Sequence, residues 1–393
     1  MNPKKVMLIA GEASGDLQGA HLVEAIQRID PEVRFWGIGG DCLEGKGMNL
    51  LYHARFLSVV GITEVFLKLG SILKAFRALK RSLDRDKPDL VILIDFPDFN
   101  LRFAKVAHRK GIPILYYISP QVWAWRPRRV DSIARWVKKM IVFFPFEVPL
   151  YEAAGVDVEW VGHPLLDMVK PSLSAEAAVQ QFGLDPRRRT VALLPGSRMH
   201  EVSRLLPPLL ACAHLLEKEI PDLQFILPLA PGIPRVALGP LMKKTSVAVK
   251  IIEGWTYDVM NVSELLISAS GTATLEAAIL GKPMVIVYKV SLPSYWIGRL
   301  LVHVDHVGLV NLVARERIAP ELLQGDANPQ KMAEESLRIL RDPVLRHRIE
   351  EAMTKVRQAL GQPGAAQRAA RIVWSMLTGE GLRKSLQSAT GKL

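Results

Sequence analysis

The sequence predicts an α/β protein with two doubly wound domains that face a central cleft. Three observations support this fold class. The 393 residues suit two domains better than one. Short apolar runs rich in branched residues alternate with helical patterns, as buried parallel strands alternate with their crossover helices. The alternation starts again near residue 190, which indicates a second βαβ series in the same chain.

The apolar runs mark the expected strands in order along the chain. The runs of the first half are "KKVMLIA", "DLVILIDF", "IPILYYIS", "KKMIVFFPF" and "VEWVG", and those of the second half are "RTVALLPG", "LQFILPLA", "VAVKIIEG", "LLISAS" and "PMVIVYK". Helical patterns such as residues 17–28 and 101–110 lie between them. We place a first domain over residues 1–168, a second over 169–360, and a helical tail over 361–393, for which packing back on the first domain is one option.

Composition and charge limit the kind of protein. The net charge is +12, and residues 61–140 hold 17 Lys and Arg against 7 Asp and Glu. Such a patch favours an anionic partner, which could be nucleic acid, an anionic membrane surface or a phosphorylated substrate. Two cysteines, Cys42 and Cys212, suit a reducing compartment. No apolar stretch reaches the ~20 residues that span a bilayer, so we expect a soluble cytoplasmic protein.

Turns rich in glycine and carboxylates follow the expected strands in both halves. They read "GEASGD", "DFPDFN", "PGSR" and "SASGT". In open α/β sheets, ligands bind beyond the carboxyl ends of the strands. These turns are therefore the candidate ligand sites, although "GEASGD" matches neither the GxGxxG fingerprint nor the lysine-containing P-loop.

The segment "SASGTATLEAAILGKPMVIVYK" predicts an anion site. A turn of small residues opens a helix whose first turns carry Glu276. Free amide groups at a helix start would suit a diphosphate, and Glu276 would suit a ribose diol. The alternative is an ordinary N-cap with an acid that complements the helix dipole. Arg198 of "PGSR" could bind phosphate oxygens with its two-pronged guanidinium, or could be a solvated first-turn residue.

Carboxylates of the first half are candidates for a general base. Asp95 and Asp98 follow the strand "LVILI", and partial burial there would raise a carboxylate pKa. One of the two could instead cap the following helix. Glu12 and Asp16 of "GEASGD" are rivals for the same role. His303, Asp305 and His306 lack a third ligand at recognisable spacing, so no metal site is predicted.

Residues 64–83 form an apolar helical stripe surrounded by lysine and arginine. The stripe is wider than one core-facing side, so it suits either a helix packed on the sheet or one that meets lipid and anionic head groups. The segment "QVWAWRPRR" adds an aromatic and basic cluster that could hold a phosphate or lie at a membrane interface.

Together these motifs resemble the lipid-A-disaccharide synthase family of glycosyltransferases. The motifs that carry the resemblance are "GEASGDLQGA", "DFPDFN", "YYISPQVWAWRPRR", "VGHPL", "LLPGSR" and "SASGTATLEAAILGKPMVIVYK". The resemblance implies a GT-B fold of two Rossmann-like domains and no cofactor. It also implies an inverting transfer that joins UDP-2,3-diacylglucosamine to 2,3-diacylglucosamine 1-phosphate, giving a β(1→6) disaccharide and UDP. The implied location is peripheral, at the cytoplasmic face of the Gram-negative inner membrane. A homodimer is one possible oligomeric state.

The resemblance also suggests a role for each candidate residue. Asp98 is the expected base, with Asp95 and Glu12 as rivals. The nucleotide-sugar set is Ser197, Arg198, Ser270, Gly271, Thr272, Thr274, Glu276 and Asn311. The acceptor set is Ser14, Gly15, Asp16, Asn100, Gln121, Trp123, Arg126 and Arg129. The membrane or acyl-chain set is Val65, Phe66, Leu67, Leu69, Ile72 and Leu73. Val310 stands where a Pro-Asn-Leu segment would have proline, which makes the placement of Asn311 less certain.

Two alternative functions compete with this interpretation. A non-hydrolysing UDP-sugar epimerase would share the fold and the nucleotide site, but would not need the wide apolar helix or the tryptophan cluster. A basic nucleic-acid-binding protein would explain the charge, but the sequence has no recognition motif for it.

Overall fold

Two parallel β-sheets organise the chain in the computed structural model. The model describes residues 3–57, 62–120, 122–123, 128–243, 246–290 and 306–379, and for residues 62–69 it describes the backbone alone. The chain divides into two compact units. The first comprises Met1–Pro164 together with Gly361–Leu393, and the second comprises Leu165–Leu360.

The first unit contains a seven-stranded sheet in the order β3-β2-β1-β4-β5-β6-β7. Its strands are β1 (Lys5–Ala10), β2 (Arg34–Gly39), β3 (Asn49–His53), β4 (Leu90–Ile94), β5 (Ile114–Tyr117), β6 (Lys139–Val142) and β7 (Val158–Trp160). Neighbouring strands run parallel throughout. The strand order reverses between β1 and β4, and such a reversal is where open α/β sheets bind ligands.

Helices cover both faces of this sheet. They are α1 (Ala13–Gln27), α2 (Asp41–Gly45), α3 (Ile62–Asp86), α4 (Pro97–Arg109), α5 (Arg129–Trp136) and α6 (Val148–Glu152). One face of β1 and β4 packs with α1, and the other packs with α3 and α4. Because every residue of β4 is buried, its sequence is continuously apolar.

The second unit contains a six-stranded parallel sheet in the order β10-β9-β8-β11-β12-β13. Its strands are β8 (Arg189–Leu194), β9 (Leu223–Leu229), β10 (Val249–Glu253), β11 (Leu265–Ala269), β12 (Met284–Tyr288) and β13 (Glu321–Leu323). The helices of this unit are α7 (Leu165–Met168), α8 (Ala175–Gln181), α9 (Met199–Glu219), α10 (Gly239–Met242), α11 (Thr256–Val262), α12 (Ala273–Ile279), α13 (Leu309–Ala314), α14 (Pro329–Arg341) and α15 (Pro343–Ala359). The order of the strands reverses between β8 and β11.

The last described helix, α16 (Ala365–Thr378), belongs to the first unit. Its residues Ala369 and Val373 are fully buried in the same core cluster as Leu22 and Val23 of α1. Arg368 also donates hydrogen bonds to the carbonyl of Val161 at 2.8 Å and to that of Pro363 at 2.8 Å. Helix α16 therefore completes the core that α1 shares with the first sheet.

Three strands lie outside the apolar runs of the sequence analysis. In β2, the glycines of "RFWGIG" hide the strand pattern, yet Gly37 is required because a Cβ there would lie 2.0 Å from the Leu8 carbonyl oxygen. β3 is an edge strand with partly exposed side chains, and β13 has only three residues. Short or edge strands carry little hydrophobic signal.

The long helix α3 divides between core and surface. Leu79 is fully buried and Phe76 packs edge to face on Phe103 at 5.7 Å, whereas Leu73 is 46% exposed. Ile72, which the sequence analysis assigns to the lipid-facing set, is partly buried against the same core. The side chains of Val65, Phe66, Leu67 and Leu69 lie outside the described residues. Among the helices the structure describes, none is long and apolar enough to cross a membrane.

Candidate functional site

A cavity of about 570 Å³ opens in the second unit where the strand order reverses. Its walls come from the turns after β8 and β11 and from the start of α11. Six of the eight predicted nucleotide-sugar residues line it: Ser197, Arg198, Ser270, Gly271, Thr272 and Glu276. Strand-end turns predicted from the sequence therefore line one cavity, and its use as a nucleotide-sugar site stays a prediction.

Arg198 lies at the rim of the cavity beside Glu201. Its side chain is 66% exposed, and Nη1 donates to Glu201 Oε1 at 3.1 Å. The other Glu201 oxygen accepts from the backbone amides of Ser197 at 3.0 Å and Arg198 at 3.3 Å. Gly196 makes this turn possible, because a Cβ there would lie 2.5 Å from the Glu201 carboxylate. Glu201 thus organises the turn that presents Arg198 to the cavity.

Glu276 lines the same cavity together with Tyr257. The Tyr257 hydroxyl donates to Glu276 Oε1 at 3.4 Å. Burial raises the pKa of Glu276 above its usual range, and the Tyr257 hydrogen bond opposes that shift. Tyr257 is not among the site residues predicted from the sequence. The only signal for it was its place in "EGWTYD", just after a predicted strand.

Two residues of the predicted nucleotide-sugar set support the backbone instead of lining the cavity. Thr274 is fully buried, and its hydroxyl donates to the Gly271 carbonyl at 2.8 Å. Asn311 is also fully buried, with its amide donating to Ala319 O at 2.8 Å and to Glu321 Oε1 at 2.7 Å. In this structure the polar atoms face neighbouring protein groups, and contact of either residue with a ligand stays a prediction.

The first unit presents carboxylates at its own strand-order reversal. Asp95 and Phe96 have φ values of +45° and +46°, a left-handed conformation that non-glycine residues rarely adopt. Asn100 Nδ2 and the Tyr116 hydroxyl both donate to the Asp95 carbonyl at 2.7 Å and hold the turn. Burial, and then the nearby Glu12 carboxylate, raise the pKa of Asp95 to about 6. A carboxylate so placed can accept a proton near neutral pH.

Asp98 lies in the first turn of α4, three residues beyond Asp95. Its side chain is 68% exposed, and Oδ1 accepts from Arg129 Nη2 at 2.5 Å. Arg129, by contrast, is only 10% exposed. The structure thus brings together one predicted base and one predicted acceptor-binding residue.

Three members of the predicted acceptor set act as internal supports. Asp16 is buried and accepts from the backbone amides of Gly40 at 2.6 Å, Cys42 at 3.0 Å and Leu43 at 3.2 Å. A Cβ on the buried Gly15 would lie 3.3 Å from Ile94 Cγ2, so this glycine serves helix-strand packing. Asn100 is fully buried beneath the Asp95 turn. All three are therefore occupied with internal contacts, and their contact with a ligand stays a prediction.

The remaining acceptor candidates differ in how much the structure describes of them. Ser14 is exposed at the start of α1. Trp123 is partly buried, and its indole Nε1 donates to Glu147 Oε1 at 3.2 Å. Gln121 and Arg126 lie outside the described residues.

One cluster in the first unit has the composition of a metal site. Asp41, Glu44 and His53 bring one ligand atom each within 4.8 Å of one another. His53 Nδ1, however, accepts the Arg55 amide at 3.2 Å, so the neutral ring carries its proton on Nε2 and donates it to Asp41 at 3.1 Å. This tautomer makes His53 a hydrogen-bond donor instead of a ligand.

Comparisons with known proteins agree over most of the chain. A family model described as Lipid-A-disaccharide synthetase matches residues 6–375. A curated Lipid-A-disaccharide synthase from Syntrophus aciditrophicus is 50% identical over 378 residues, which are 96% of this chain and 99% of that protein. The protein of the same name from Geobacter metallireducens is 48% identical over 374 residues, which are 95% and 97% of the two chains.

Solved structures similar to this one confirm the predicted fold class. The S. aureus MnaA-UDP co-structure has a TM-score of 0.64 at 15% identity and covers 95% of this chain and 97% of its own. Acinetobacter baumannii MurG has a TM-score of 0.59 at 16% identity and covers 95% and 100%. At such identities the likeness shows the GT-B fold alone, which glycosyltransferases and epimerases share. The family model and the curated relatives separate these possibilities: the chain belongs to the lipid-A-disaccharide synthase family of glycosyltransferases.

Proposed function

We propose that this protein transfers the diacylglucosamine of UDP-2,3-diacylglucosamine to the 6-hydroxyl of 2,3-diacylglucosamine 1-phosphate, with release of UDP. The observation that carries the proposal is the second-unit cavity, where Arg198, the Ser270–Thr272 turn and Glu276 lie together at the strand-order reversal. A guanidinium and a turn of small residues suit a diphosphate, and a carboxylate suits a ribose diol.

The departing UDP is the first chemical demand of the reaction. Negative charge develops on the diphosphate as the glycosidic bond to UDP breaks, and a fixed positive charge lowers the free energy of that transition state. We assign this role to Arg198. Because Glu201 already pairs with the arginine at the rim, binding of a diphosphate replaces one anionic partner by another.

Removal of the acceptor proton is the second demand. We assign it to Asp98, whose exposed carboxylate a lipid hydroxyl can approach and whose orientation Arg129 supports. Asp95 is the alternative, because its pKa of about 6 lies close to the pH at which the base must work.

We further propose that the protein works peripherally at the cytoplasmic face of the inner membrane. Leu73 of α3 is exposed beside the exposed Lys74 and Arg77. An apolar side chain next to cations suits a surface of anionic lipid. Retention on anionic vesicles that weakens with salt, and no retention on neutral vesicles or DNA, would support this location.

The transfer itself is tested with purified protein and both lipid substrates. Release of UDP and appearance of the disaccharide phosphate by mass spectrometry are expected only when donor and acceptor are both present. Conversion of the donor into an isomer without any acceptor would instead identify an epimerase, and would overturn the proposal.

A further inference from the structure

Glu147 is a buried carboxylate that none of the proposed steps uses. It ends the short 3-10 turn Pro145–Glu147 that follows β6, and it is 3% exposed. Its oxygens accept from two separate segments: Oε1 from the Trp123 indole at 3.2 Å and Oε2 from the Phe144 amide at 3.2 Å. Buried carboxylates need such donors, so the arrangement links the segment around Trp123 to the turn after β6.

Ring contacts hold Trp123 from a second direction. The indole meets Phe146 edge to face at 5.5 Å, and Phe146 stacks on Phe144 at 5.1 Å. The preceding residue, Val122, is 2% exposed in the core. The Glu147 hydrogen bond therefore fixes the tilt of a ring whose position is already set by packing.

A second side chain that follows Trp123 in sequence also forms a contact with a carboxylate. Arg129 donates to Asp98, the proposed base. Trp123 and Arg129 are both predicted acceptor-binding residues, and each is held by a carboxylate of the same unit.

We propose that Glu147 is a positioning residue that fixes the Trp123 indole for binding of the lipid acceptor. The inference rests on the proposed function, because it assumes that Trp123 contacts the acceptor. The competing explanation is that Glu147 only caps its own turn through the Phe144 amide.

The charge state of Glu147 provides a way to distinguish the two. Burial raises its pKa to about 7, and the hydrogen bonds from the Phe144 amide and the Trp123 indole oppose that shift. Of the titratable groups around it, burial raises the pKa of Tyr151 and lowers that of His163 to about 4, so neither changes charge near pH 7. The hydrogen bond to Trp123 should strengthen as Glu147 ionises with rising pH.

The test compares the full-length wild type with Glu147→Gln, Trp123→Phe and the double variant. Glu147→Gln replaces one carboxylate oxygen by an amide group, which then faces one of the two N–H donors. Trp123→Phe removes the indole donor while keeping an aromatic ring. We expect Glu147→Gln to raise the acceptor KM about tenfold with the donor KM unchanged. In the Trp123→Phe background the same change should add less than about twofold.

Tyr151→Phe is the matched control for these variants. It removes a neighbouring buried hydroxyl, which is bonded to the Ser119 hydroxyl at 2.7 Å, and leaves both the carboxylate and the indole in place. The acceptor KM of this control should equal that of the wild type.

A measurement without substrate makes the result independent of the reaction. The difference in tryptophan emission between wild type and Trp123→Phe should titrate near pH 7, and this titration should vanish in Glu147→Gln. A lowered Tm with unchanged acceptor KM and no emission titration would overturn the proposal in favour of simple capping. If Glu147→Gln fails to fold, an unchanged acceptor KM in Trp123→Phe is the overturning result. If the wild type makes no disaccharide, the proposed function fails, and the emission titration still decides whether Glu147 controls Trp123.

Discussion

Replacing Arg198 by alanine should separate substrate binding from folding. The side chain is 66% exposed and its ion pair with Glu201 spans 3.1 Å. Exposed pairs of this kind contribute about 1 kcal/mol or less to stability. A charge-assisted contact with a diphosphate is worth about 1.5–3 kcal/mol, which corresponds to about 10- to 100-fold in Kd. We therefore expect UDP binding and donor use to fall far more than the free energy of unfolding.

The assay pairs UDP titration calorimetry with urea unfolding of the same samples. Arg235→Ala is the matched control, because Arg235 also forms an exposed ion pair in the second unit, with Glu253 at 3.3 Å, and does not line the cavity. The control should match the wild type in Kd. An Arg198→Ala protein that folds and binds UDP as tightly as the control would refute the assignment of Arg198 to the diphosphate.

Three further predictions concern the first unit. Asp98→Asn should abolish transfer while UDP binding survives, and Asp95→Asn should stay active. The pH-rate profile of the wild type checks this, because an enzyme that used Asp95 as its base would lose activity as the pH falls through about 6. Leu79→Ala should lower the free energy of unfolding by about 2–5 kcal/mol, measured by urea unfolding. Leu73→Ser should change that free energy by about 0.5 kcal/mol or less and should weaken vesicle binding. Equal losses of stability in the two variants would mean that both are core residues. Asp16→Ala should lower the free energy of unfolding by about 2–4 kcal/mol, because three backbone amides lose their acceptor. A Tm close to that of the wild type would contradict the structural role of Asp16.

The strands with continuous apolar runs were predictable from sequence, and those without were not. β4 reads "LVILI" because both of its faces are buried. In β2 the apolar run is interrupted by Gly37. A glycine is needed there because the Leu8 carbonyl approaches closely, and not because of local strand propensity. Long-range contacts of this kind leave no trace in a short window of sequence.

The site residues also divide into those that local sequence predicts and those that depend on tertiary packing. The strand-end turns predict Arg198 and Glu276 as neighbours, and both line the same cavity because the topology brings such turns together. The same motifs could not show that Thr274 and Asn311 point inward, since side-chain direction depends on packing. Glu147 was missed because "FPFE" resembles an ordinary turn until its partner Trp123, 24 residues away in sequence, is brought to it by the fold.

The return of α16 to the first unit has a consequence for how the protein is made. The second unit is one continuous stretch of chain, but the first is closed only by residues after Gly361. At about 5–20 residues per second, a ribosome needs roughly 10–40 s to go from the end of the first segment to the end of α16. During that interval the apolar side of α1 around Leu22 and Val23 lacks its partner. A nascent chain of this protein should therefore finish its second unit before its first, and its N-terminal part is the expected client of chaperones during synthesis.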